Sequence, residues 1–88
     1  MKYGVPDGVL RAQLEGDEVM LNPTTGVYHM LNRTGRLLIE SLQHGRSLDE
    51  AVNEIAANSR APRDAVMADA RSFLSEMLAR GLVEEAST

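Results

Sequence analysis

The stretch Gly26-Val27-Tyr28-His29-Met30-Leu31-Asn32-Arg33-Thr34-Gly35 decides the fold. Residues 27 to 31 are β-branched, aromatic or apolar apart from His29 and contain no breaker, which predicts a strand. Asn32 to Thr34 offer N-cap chemistry, and the apolar period changes there from two to about 3.6. A strand therefore feeds directly into a helix and joins a small sheet to a helical half.

Upstream, Asn22-Pro23-Thr24-Thr25-Gly26 is a turn signal, preceded by a strand over residues 18–21. Glu15-Gly16-Asp17 signals a hairpin, and residues 9–14 form the strand before it. In that strand Leu10, Ala12 and Leu14 make the more apolar face, so they are expected to meet the core. Short strands at this spacing predict a three-stranded antiparallel meander. Residues 1–8 are a turn-rich lead-in, and residues 1–7 and 85–88 are expected to be loose.

Downstream, a first helix is expected over residues 34–43, with Leu37, Leu38, Ile39 and Leu42 on its apolar side and Gly45 after its end. Ser47-Leu48-Asp49-Glu50 has the spacing of a capping box and opens a second helix, which ends near Asn58-Ser59. A third helix starts around Pro62 and Asp64 and stops at Gly81. Val66, Met67, Ala70, Phe73, Leu74, Met77 and Leu78 give it a wide apolar face. Leu82 and Val83 are expected to add a brief strand or to pack. The fold class is α+β, with a three-stranded antiparallel sheet followed by three helices in a winged helix-turn-helix-like outline. A single domain spans residues 1–88.

Composition narrows the function. The net charge of −4 disfavours nucleic acid as a partner, because phosphate binding needs a cationic surface. The basic residues of the third helix, Arg63, Arg71 and Arg80, alternate with Asp64, Asp69 and Glu76, so no basic face forms. A winged-helix regulator that binds DNA is nevertheless the alternative suggested by the outline. There is no cysteine, which excludes disulfides, thiolate metal sites and thiol nucleophiles. His29 and His44 stand without local partners, so neither a metal site nor a catalytic residue is expected. No signal peptide or membrane span is expected, nor any cofactor, and a cytoplasmic location follows.

Peptide binding requires an unpaired strand edge beside an apolar groove. The strand at 27–31 supplies an edge. The apolar face of the third helix is wider than a narrow packing seam needs, which suits either a filled core or a groove. Asp69 lies on the border of that face, among Val66, Ala70 and Phe73.

Three separated motifs resemble the PqqD-like family. The first is Leu21-Asn22-Pro23-Thr24-Thr25-Gly26-Val27-Tyr28-His29-Met30-Leu31-Asn32-Arg33-Thr34-Gly35. The second is Gly45-Arg46-Ser47-Leu48-Asp49-Glu50. The third is Asp69-Ala70-Arg71-Ser72-Phe73-Leu74, followed by Gly81-Leu82. Two departures are Asn22, where the family often has Asp, and His29, where an aromatic is common.

The resemblance implies a non-enzymatic recognition element for ribosomally made, modified peptides. The leader of a precursor peptide would add as an antiparallel strand at Val27, Tyr28, His29, Met30 and Leu31. Its side chains would meet the third helix at Val66, Asp69, Ala70, Phe73 and Met77. The free-standing form is most similar to the leader-binding protein of lasso peptide pathways. Implied partners are then a leader peptidase and an ATP-dependent macrolactam synthetase. A recognition chaperone for another modified peptide, or for pyrroloquinoline quinone synthesis, is the nearer alternative.

Overall fold

The computed structural model describes residues 2–86. Its elements are β1 (Lys2–Gly4), β2 (Leu10–Leu14), β3 (Asp17–Leu21), β4 (Tyr28–Leu31), α1 (Arg33–Gln43), α2 (Leu48–Ser59), α3 (Arg63–Ala79) and β5 (Glu84–Ala86). The expected meander is present as an antiparallel sheet in the order β2-β3-β4. The Leu14-Glu15-Gly16-Asp17 turn is tight because Glu15 and Gly16 both adopt positive φ, at 53° and 87°. That is the backbone of a primed hairpin turn, whose twist matches the flanking strands.

The ends of the chain differ from expectation. Lys2–Gly4 and Glu84–Ala86 pair as a second, two-stranded antiparallel sheet, with Tyr3 opposite Glu85. Neither segment has the alternating apolar pattern of a core strand. Leu82 and Val83 anchor the arrangement, since both are buried directly after α3 and bring β5 against β1. The expected looseness at Met1, Ser87 and Thr88 falls outside the described residues.

The inward face of β2 is also corrected. The register sets Leu10 opposite Leu21 and Ala12 opposite Val19, and it pairs Val19 with Met30 and Leu21 with Tyr28. Directly opposed residues share a face. Leu10, Leu14, Tyr28 and Met30 thus lie on the outer side of the sheet, each more than half exposed at 52%, 57%, 55% and 53%. Arg11 faces the helices instead. Its Nη2 donates to both carboxylate oxygens of Glu18 at 2.8 Å and to Glu40 Oε1 at 3.0 Å. Burial alone lowers the Arg11 pKa, but the hydrogen bonds and charges of Glu18 and Glu40 outweigh it and raise the value. A paired charge can therefore occupy a position that hydropathy alone gives to leucine.

The core lies between the inner sheet face and the helices. Met20 and Leu31 come from the sheet, Leu38, Ile39 and Leu42 from α1, Val52 and Ile55 from α2, and Val66, Ala70, Leu74 and Met77 from α3. Asn32 caps α1, its Oδ1 accepting from Gly35 N at 2.8 Å. The capping box of α2 is complete, with Ser47 N donating to Glu50 Oε1 and Glu50 N donating to Ser47 Oγ. Arg63 ties the start of α3 to α2 through Asp49 at 3.2 Å and through Asn53.

The hydrogen bond from the Ser47 backbone holds the Glu50 carboxyl below its ordinary value of 4.5. A depressed carboxyl stabilises the fold above the unfolded pKa, and the contribution is lost as pH falls through the folded value. Acid melts of Glu50→Gln should accordingly lose less stability below about pH 4.5 than the parent.

Candidate peptide-binding site

Among the described residues β4 pairs with β3 on one side only, and no strand covers its other edge. The direction of its backbone groups follows from one contact. Val27 O accepts from Asn22 N at 2.9 Å and so points toward β3. Antiparallel ladders alternate, which turns His29 and Leu31 toward β3 as well. Tyr28 and Met30 therefore carry the N–H and C=O groups that face outward.

A cleft of about 180 Å³ opens just past the end of β4, lined by Asn32, Thr34, Gly35, Leu38, Asp69, Ala70 and Phe73. It lies where the end of β4 and the first turns of α1 meet the middle of α3. Phe73 forms its wall. The ring is half-buried and meets His29 edge-on, with centroids 5.8 Å apart and planes at 67°. Gly35 lets α1 approach this ring: a Cβ there would lie 3.2 Å from Phe73 Cε1 and 3.3 Å from Asn32 Oδ1.

Gly35→Ala should therefore press on Phe73 and narrow the cleft. Crowding costs about 1–3 kcal/mol, while replacing Gly in a helix returns up to about 1 kcal/mol. Thermal melts should show a modest net loss of stability. Titration should show a clear loss of any ligand held in the cleft.

The candidate residues separate into distinct environments. Tyr28 and Met30 present their backbones to the open edge and their side chains to the outer sheet face. His29 faces inward at the mouth of the cleft, and Leu31 is a core residue at 9% exposure. Val27 precedes β4, half-buried, with its carbonyl committed to β3. On α3, Asp69, Ala70 and Phe73 line the cleft, Asp69 being exposed at its rim. Val66 and Met77 do not line it. At 6% and 0% exposure they point into the core and hold α3 in place.

Four lining residues carry no sequence expectation as a site: Asn32, Thr34, Gly35 and Leu38. In the sequence Asn32, Thr34 and Gly35 read as a cap and first helical turn within the first motif, and Leu38 as part of the apolar side of the helix. A glycine inside that turn was the available signal, because it marks a close approach.

No described helix is long and apolar enough to cross a membrane. Among the described residues no group of three or more His, Asp or Glu side chains is placed to hold a metal ion.

No curated protein matches the chain significantly. The family model described as coenzyme PQQ synthesis protein D (PqqD) matches residues 18–83. Among solved structures, TbiB1 in complex with the TbiA(beta) leader peptide is similar at a TM-score of 0.82 and 30% identity, over 100% of both chains. Lasso peptide synthetase B1, complexed with the leader peptide, is similar at a TM-score of 0.85 and 19% identity, covering 94% of this chain and 98% of that one. At that lower identity the second likeness concerns the fold alone. The family match spans the strand–turn–helix junction, the capping box and the Phe73 helix together, and the chain belongs to the PqqD family.

Proposed function

We propose that this protein binds the leader segment of a ribosomally made precursor peptide by strand addition along β4. The observation that carries the reading is the pair of outward backbones at Tyr28 and Met30, set beside a cleft walled by Phe73. Backbone pairing supplies general affinity, and the cleft supplies selectivity.

The register of such a strand follows from the sheet. Peptide residues opposite Tyr28 and Met30 project to the outer face. The residue opposite His29 projects inward, toward Phe73. Alternate side chains of the peptide thus divide between an open surface and the cleft. The relative that is 30% identical over its whole length is itself described as a leader-peptide complex, which supports the same ligand class here.

The protein acts without catalysis of its own and presents the bound precursor to processing enzymes in the cytoplasm. In a lasso peptide pathway these are a leader peptidase and an ATP-dependent macrolactam synthetase. Duplex DNA is not favoured as a ligand. Arg63 is engaged with Asp49, Arg80 pairs with Glu76, and the net charge is −4.

Calorimetric titration with the synthetic leader of the precursor encoded nearest to this gene tests the ligand. Saturable one-to-one binding is expected, with none to duplex DNA. Adding the protein to the peptidase and full precursor should accelerate leader removal. Binding to DNA but not to the leader would sink the reading.

A further inference from the structure

An open strand edge invites any extended chain, including a second copy of the same protein. β4 has one feature that opposes this. Arg80, which caps the C-terminus of α3, donates Nη1 to Tyr28 O at 3.3 Å. Its Nη2 is held by Glu76 Oε1 at 2.9 Å. The Tyr28 carbonyl is one of the two outward acceptors that strand addition uses, so this acceptor is occupied in the free protein.

We propose that Arg80 guards the β4 edge. It caps the Tyr28 carbonyl against incoming strands and swings aside when a peptide gains enough from the cleft to displace it. The guanidinium is suited to this. Its side chain is 43% exposed, and its tether to Glu76 is an exposed pair that costs little to break. A flexible stem can move without disturbing α3. At the Tyr28 carbonyl a strand that offers only backbone groups replaces one hydrogen bond by another, so it gains nothing there. A peptide that also fills the cleft gains apolar burial. The guard thereby raises the threshold for every pairing partner, and the cleft determines which partner exceeds it. For the peptide, this inference rests on the strand-addition reading; for a second copy it does not.

The test compares the parent with Arg80→Ala and Arg80→Lys, with circular dichroism to confirm folding. Titrated with the leader of the precursor encoded nearest to this gene, the Ala variant should bind roughly three- to tenfold more tightly, the return expected from removing one charge-assisted hydrogen bond at an exposed site. Lys retains a donor and should restore weaker binding. Unchanged or weaker affinity in the Ala variant overturns the guard and makes Arg80 a bystander or a peptide contact. If the parent itself fails to bind the peptide, the strand-addition reading fails instead. Sedimentation without peptide then decides the guard alone. Self-association of Arg80→Ala at concentrations where the parent is monomeric upholds it, and a monomeric variant overturns it.

Discussion

Met30→Pro is expected to leave the protein folded and to remove most of its affinity for the leader peptide. The Met30 N–H faces the open edge, so proline there breaks no bond to β3. Edge positions of this kind are where sheets tolerate proline. The incoming strand loses a donor, and its own carbonyl is left unpaired against the ring. A lost hydrogen bond with an unsatisfied partner costs about 1–3 kcal/mol, or roughly 5- to 150-fold in affinity. Tyr28→Pro should act the same way. His29→Pro should not, because its N–H is turned toward Met20 in β3 and its loss damages the sheet itself. Dichroism and titration of the three variants distinguish a binding edge from a purely structural strand. Retained affinity in folded Met30→Pro would contradict pairing at this edge.

Phe73→Ala is expected to combine a stability loss with a binding loss. The ring is half-buried at the margin of the core, where it also packs against Gly35 and His29. Its truncation should cost less than the 3–5 kcal/mol of a fully buried aromatic, about 1–3 kcal/mol. In a domain of this size that lowers the melting temperature by roughly 5–20 °C. The cleft also loses its wall, so the peptide side chain opposite His29 loses its apolar partner. Affinity measured well below the transition should fall about tenfold or more. Leu74→Ala is the contrast. Leu74 is 2% exposed in the core, so its truncation should reduce stability more and leave affinity in the folded fraction nearly unchanged.

Much of this was legible in the sequence because local chemistry and burial agreed. The Asn32 cap, the Ser47–Glu50 box and the turn at Glu15-Gly16 act within a few residues, and each is formed where its residues predict. Four features were not legible, and each depends on contacts between different elements. Arg11 of β2 turns inward where Glu18 of β3 and Glu40 of α1 receive it. β1 and β5 come from opposite ends of the chain and pair where Tyr3, Val5, Leu82 and Val83 pack on the core. The helical period marks Val66, Ala70, Phe73 and Met77 as one apolar face. It does not separate the residues that fill the core from those that line the cleft. That division depends on where α1 crosses α3, and Gly35 allows the close approach. Arg80 read only as one of the basic residues of the third helix, because its contact to Tyr28 spans 52 positions.

The most direct measurement is a backbone amide NMR titration with the leader of the precursor encoded nearest to this gene. Shifts and slowed hydrogen exchange at the Tyr28 and Met30 amides are predicted, accompanied by shifts around Gly35, Asp69 and Phe73. The amides of His29 and Leu31, already committed to β3, should gain little protection. Shifts concentrated on the far face of α3 around Arg71, with Tyr28 and Met30 unprotected, would contradict strand addition at β4.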